Sequence, residues 1–141
     1  MRRSEAGFTF LEILIVIMII GVLTAIVGPN LIGNVGKSKQ VAAKDQIRIL
    51  ELALKQYYAD TGQFPTTAQG LGALRRQPTS PPQPEGWSGP YLEKDVPRDP
   101  WGRDYVYVSP GRESDAGYDL YSLGSDGKVG GVGEAADITS W

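Results

Sequence analysis

The sequence contains no cysteine and no histidine. The first absence excludes disulfides and thiol nucleophiles. The second removes imidazole bases, and the two together exclude Cys/His zinc sites. Lack of cysteine is compatible with a reducing or an oxidising compartment and does not choose between them. An excess of charge is missing too: 14 Lys and Arg stand against 16 Asp and Glu, a net charge of −2. A chain without a basic surface gives nucleic acid nothing to bind, so no nucleic-acid partner is expected. Between Arg3 and Lys37 there is no basic residue at all. What is abundant is glycine (18) and proline (10), and they concentrate in the second half. That half should be rich in turns and loops. A length of 141 residues suits one domain plus an apolar segment.

The apolar segment covers residues 8–27, where Glu12 is the only strongly polar residue and Thr9 and Thr24 are mildly polar. About 20 residues in a helix span the ~30 Å hydrocarbon core of a bilayer. The run exceeds the roughly 7–15 apolar residues of a cleaved secretory signal. It is followed by Gly28-Pro29-Asn30, which is no small-residue cleavage site. Arg2 and Arg3 favour a cytoplasmic amino-terminal end, and Lys37, Lys39 and Lys44 oppose this only from farther away. Glu12 is the anomaly. A carboxylate at membrane depth costs about 2.5–3.5 kcal/mol and ordinarily has a partner. Either Glu12 lies close enough to the interface to stay hydrated, or a cation is created beside it. Cleavage after Gly7 would create one, the new amine of Phe8.

Beyond Asn34 the pattern becomes amphipathic. Ala43, Ile47, Leu50, Leu54 and Tyr57 or Tyr58 recur at helical spacing, with Lys44, Asp45, Arg48, Glu51 and Lys55 between them. This predicts one long helix over residues 8–59, its second half packed on a globular domain. Pro29 removes a backbone hydrogen bond, and Gly28, Gly33 and Gly36 lower helix propensity, so a kink is expected there. Thr66 and Gln69 have the spacing of a capping box, which predicts a short helix over residues 67–75. The proline-rich stretch that follows would be a linker by composition, but Trp87, Tyr91, Leu92 and Trp101 predict an ordered loop folded on the core. Two strands are expected over residues 104–108 and 118–123, joined by a turn containing Pro110-Gly111. The class is α+β, with a small antiparallel sheet packed on the long helix.

Residues 123–138, LGSDGKVGGVGEAADI, form a glycine-rich acidic loop. It lacks the Ser/Thr of a phosphate-binding P-loop after Gly127-Lys128. With Asp126 as position 1 of a Ca²⁺ loop, Gly131 falls at 6 and Asp137 at 12, but Lys128 and Gly130 stand where an EF-hand needs oxygen side chains. The residues alone leave two readings open. One is a solvated acidic loop. The other is a Ca²⁺ site whose scarce carboxylates are supplemented by backbone carbonyls.

GFTFLEILIVIMIIGVLTAIVGPNLIG resembles the amino-terminal signature of type IV pilins and pseudopilins. GQFPTTAQGLGAL, GPYLEKDVPRDPWGRDYVY and YDLYSLGSDGKVGGVGEAADITSW resemble the major pseudopilins of type II secretion systems, and the likeness covers the chain from Gly7 to Trp141. The resemblance implies a type IV pilin-like fold. It implies residues 1–7 as a cytoplasmic leader removed by prepilin peptidase, 8–34 as the transmembrane and assembly half of the long helix, and 35–141 as the periplasmic domain. Gly7 would be the cleavage position, Phe8 the methylated terminus, and Glu12 the residue that pairs with a neighbouring subunit's amine. The stretch around Pro29 would partly unwind in a filament. It also implies bound calcium, with Asp126 and Asp137 as carboxylate ligands and Leu123, Lys128 and Gly131 giving backbone oxygens; Glu134 is a rival second carboxylate. The implied role is structural: a single-pass inner-membrane subunit that polymerises into a periplasmic pseudopilus and helps export folded exoproteins. Its partners would be copies of itself, prepilin peptidase, minor pseudopilins, the inner-membrane assembly platform and the membrane. A type IV or competence pilus subunit is the alternative. A membrane-tethered calcium-dependent enzyme or binding module is a second class, disfavoured because no acid pair accompanies a nucleophile.

Overall fold

The structure is a computed structural model that describes residues 8–141, with the side chains of residues 27–34 outside the description. The expected leader, including Gly7, lies outside the described residues. The chain divides into two compact units, separated between Gly36 and Lys37.

A single helix, α1, runs over Phe10–Thr61. Thr9 begins it: the Glu12 N–H donates to Thr9 Oγ1 at 3.2 Å and to the Thr9 carbonyl at 3.1 Å, which satisfies an otherwise orphan donor. Gly62 ends it with φ +72°, a left-handed conformation that glycine adopts without a Cβ clash, and its N–H donates to the Tyr58 carbonyl. The Thr61 hydroxyl closes the same turn on the Tyr57 carbonyl. The helix therefore starts two residues inside the expected 8–59 and ends two residues beyond it. Helical backbone continues through Pro29. In the first unit the apolar side chains from Phe10 to Ile26 are exposed on every face, and Thr24 hides its hydroxyl by donating to the Ile20 carbonyl at 2.8 Å.

In the second unit α1 is one-sided. Ala43, Ile47, Leu50, Leu54 and Tyr57 are buried at alternating spacings of four and three. Tyr57, not Tyr58, completes the stripe: Tyr57 is fully buried and Tyr58 is 48 % exposed. Ile47, Leu50 and Leu54 each contribute about 1.5–3 kcal/mol through burial. The expected helix over 67–75 is only a 3₁₀ turn, Leu71–Leu74. Thr66 and Gln69 do form reciprocal bonds, Thr66 N–H to Gln69 Oε1 at 3.0 Å and Gln69 N–H to Thr66 Oγ1 at 3.2 Å. They close an isolated turn, because Gly70 at φ +61° breaks the helical path before Leu71.

The proline-rich connection is ordered on the core, with Trp87, Tyr91, Leu92, Val96 and Trp101 packed against it. The Trp87 indole N–H donates to the Ala73 carbonyl, and the Tyr91 hydroxyl and Ser88 hydroxyl both donate to Asp60 near the end of α1. The sheet is antiparallel in the order β1-β2-β3, with β1 at Val106–Val108, β2 at Asp119–Ser122 and β3 at Ile138–Thr139. Tyr107 pairs with Leu120 and Ser122 with Ile138. Two strands are shorter than expected and the third was not expected at all. Tyrosines fill the inner side of the sheet: Tyr105, Tyr107 and Tyr118 are buried, and the Tyr107 hydroxyl donates to the Pro65 carbonyl at 2.8 Å.

Candidate functional site

β2 and β3 frame the glycine-rich loop. Residue 123 follows β2 and residue 138 opens β3, so the loop is stretched between two neighbouring strands. Internal bonds shape it. The Gly127 N–H donates to the Leu123 carbonyl, the Ser125 N–H to the Glu134 carbonyl, and the Asp137 N–H to the Gly130 carbonyl. Two glycines are required here on steric grounds. At Gly124, with φ +62°, a Cβ would lie 2.6 Å from the Ala136 carbonyl oxygen; at Gly131, with φ +89°, it would strike the Ala135 carbonyl group.

The residues singled out from the sequence fall as follows. Leu123 is half-buried. Asp126 is exposed, and its Oδ1 accepts the Lys128 N–H at 3.0 Å. Lys128 and Gly131 are exposed. Asp137 is half-buried; its Oδ2 accepts the Gly130 N–H at 2.8 Å, while its Oδ1 is buried with no hydrogen-bond partner. Such an oxygen is costly unless a donor or cation reaches it. Glu134 is exposed, within the 3₁₀ turn Gly133–Ala135. Among the described residues no three acidic, His or Cys side chains gather as a metal cluster. Any cation here would therefore depend on carbonyl oxygens for most of its shell, which is a Ca²⁺ habit.

Sequence reasoning missed the struts that hold the loop from outside. Arg103 donates through Nη1 to the Gly124 carbonyl at 2.7 Å and through Nη2 to the Ser125 carbonyl at 3.1 Å. Gln40 of α1 donates to the Gly133 carbonyl at 2.5 Å. Buried Asp99 accepts the N–H groups of Trp101 and Arg103 on Oδ1 and the Ser122 hydroxyl on Oδ2. The signal for Asp99 was present in DPWG, with Asp, Pro and Gly at turn positions i, i+1 and i+3. Nothing in the sequence pointed to Gln40.

At the other end, Phe8 is exposed and Glu12 lies exposed in the first turn of α1. Among the described residues no ion pair involves Glu12. Nor is any helix among them long and apolar enough to cross a membrane. Within the expected span over 8–34 the described side chains stop at Ile26, and the span continues into positions whose side chains are outside the description.

Residues 30–141 match the family model described as "Type II secretion system (T2SS), protein G". The chain belongs to that family. Residues 2–28 match the prokaryotic N-terminal methylation motif. Among curated relatives of the protein G family, the type II secretion system core protein G of Pseudomonas aeruginosa is 43 % identical over 140 residues, covering 99 % of this chain and 97 % of that one. The core protein G of Vibrio cholerae is 45 % identical over 139 residues, covering 99 % and 93 %. The crystal structure of the major pseudopilin from the type 2 secretion system of enterohaemorrhagic Escherichia coli is similar, with a TM-score of 0.66 at 38 % identity, covering 80 % of this chain and 95 % of that chain. The fold of this protein G family member is thus type IV pilin-like, with a small three-stranded antiparallel sheet.

Proposed function

We propose that the chain is a structural subunit that polymerises into the pseudopilus of a type II secretion system and helps export folded proteins across the outer membrane. The observation that carries this reading is near-complete coverage at 43 % identity by a core protein G. The relatives reported above are secretion-system proteins, which favours this reading over a pilus or competence subunit. An apolar helix exposed on all faces needs lipid before assembly and neighbouring helices after it. We therefore place the subunit in the inner membrane, with residues 35–141 in the periplasm, before it joins the filament. Prepilin peptidase would cut after Gly7 and leave a methylated Phe8. The amine of Phe8 would then pair with Glu12 of a neighbouring subunit; burial makes such a pair selective for register more than stabilising. Minor pseudopilins and the inner-membrane platform would be its other partners.

Calcium belongs to the same proposal. Leu123, Asp126, Lys128, Gly131 and Asp137 would hold it, and the unpartnered Oδ1 of Asp137 supports Asp137 over exposed Glu134 as the second carboxylate. When bound, the ion would tie the two ends of a loop that has no apolar core of its own. The test is co-expression of the full chain with a secretion assembly apparatus, followed by cryo-electron microscopy and mass spectrometry. Filaments built from chains that begin at methylated Phe8 are expected. Filaments containing the intact Met1 terminus would sink the processing step, and no filaments at all would sink the structural role.

A further inference from the structure

Arg103 is the one cationic side chain seen gripping the glycine-rich loop among the described residues. Its fork takes the carbonyls of two successive residues, Gly124 and Ser125, at 2.7 and 3.1 Å. A Cβ on Gly127 would lie 2.7 Å from Arg103 Nε, so the guanidinium lies flat against that glycine. The side chain is therefore held on two sides by the stretch that carries Leu123, Asp126 and Lys128. Its backbone is held as well: buried Asp99 accepts the Arg103 N–H at 2.8 Å and the Ser122 hydroxyl at 2.6 Å, and Ser122 Oγ accepts the Gly124 N–H at 3.3 Å. One carboxylate thus fixes both the root of the arginine and the entry of the loop.

We propose that Arg103 is a positioning residue for the calcium site, orienting the loop backbone at 124 and 125 so that the Leu123 carbonyl before it and the Asp126 carboxylate after it face the cation. The inference rests on the calcium reading above. Two opposed effects are at stake. A fixed positive charge close to a Ca²⁺ site repels the ion, and on that ground alone its removal should tighten binding. A planar fork, in contrast, pins two carbonyls in one orientation, which an ammonium cannot do. The geometry favours the second, because both ends of the guanidinium are engaged and its face is packed. Groups that orient metal ligands from outside the coordination shell typically change affinity about 10- to 100-fold.

The test uses the full chain in detergent. Calcium affinity is measured by calorimetry, and melting temperature is measured in chelator, for wild type, Arg103→Lys and Arg103→Gln. Both variants are expected to bind Ca²⁺ about tenfold more weakly, while their melting temperatures in chelator stay close to that of wild type. Lysine keeps the charge and loses the fork, so its weakening isolates geometry. Tighter binding by Arg103→Gln would show that repulsion dominates and overturn the proposal. An equal fall in melting temperature with and without calcium, at unchanged affinity, would make Arg103 a plain brace and overturn it too. Wild-type protein that binds no calcium would overturn the calcium reading itself, an outcome distinct from either of these.

Discussion

Asp119 is a buried carboxylate that faces three backbone donors. Burial pushes its pKa upward, but the N–H groups of Arg112, Glu113 and Ser114 outweigh this and hold it below the ordinary carboxylate value. The sign follows. Stability from ionised Asp119 is fully present above the unfolded value of about 3.9 and is lost as pH falls through the lowered folded value. Asp119→Asn should therefore lower the urea midpoint at neutral pH, and the gap from wild type should narrow as the solution becomes more acidic than about pH 4. A gap that stays constant with pH would refute the assignment. Asp137 invites the opposite experiment, with metal in place of protons. Calcium bound at the proposed site would add about 2.7 kcal/mol to the folded state at a hundredfold excess of free calcium over Kd. Asp137→Asn and Asp126→Asn should lower the melting temperature in calcium and hardly alter it in chelator. Magnesium should replace calcium poorly, since it keeps its waters and demands octahedral geometry. Glu134→Gln, exposed and outside the proposed shell, should behave as wild type. Asp137 was legible as a ligand candidate only through spacing and resemblance; its unpartnered oxygen is a fact of packing that no sequence pattern encodes.

At the scale of elements, α1 was the most legible part of the molecule. Its buried stripe from Ala43 to Tyr57 is written directly in the sequence, because a helix converts spacing into a face. The contrast between Leu50 and Leu52 tests that face. Leu50 is fully buried and Leu52 is 67 % exposed, so in the isolated subunit Leu50→Ala should cost about 2–5 kcal/mol and Leu52→Ala within about 0.5 kcal/mol of nothing. Denaturant titration of the two variants decides it; equal losses would mean the stripe is misplaced. The short elements were less legible. Thr66 and Gln69 signalled a helix start, yet the same pair serves equally well to close a turn, and Gly70 decided which. The strand β3 has two residues, Ile138 and Thr139, too few for any alternation to show. It exists because Ser122 and Tyr121 offer an open edge beside it. The ordered proline-rich connection was legible from its aromatics, which have nowhere to go but the core.

Across the whole molecule, the core depends heavily on tyrosine. The hydroxyls of Tyr57, Tyr105 and Tyr118 are buried without a partner. Burial, then the nearby Asp99 carboxylate, pushes Tyr105 up to about 12; burial, then Glu51, does the same for Tyr118. A raised folded pKa contributes stability that is fully present below the unfolded value of about 10 and is lost as pH rises through the folded value. The second unit should therefore unfold in alkali over that window. Phenolate absorbance from the buried tyrosines should rise together with loss of helix signal, above the unfolded value. A single step centred near pH 10 would contradict the burial. Gln40 has a different kind of consequence. Its bond to Gly133 joins positions 93 residues apart. During synthesis every intervening residue must leave the ribosome before that clasp can close, and β3 emerges later still. The subunit therefore completes its loop and its sheet edge only after residue 139 has emerged, so a chain stalled before residue 133 carries the core-facing helix stripe without the parts that lock it down.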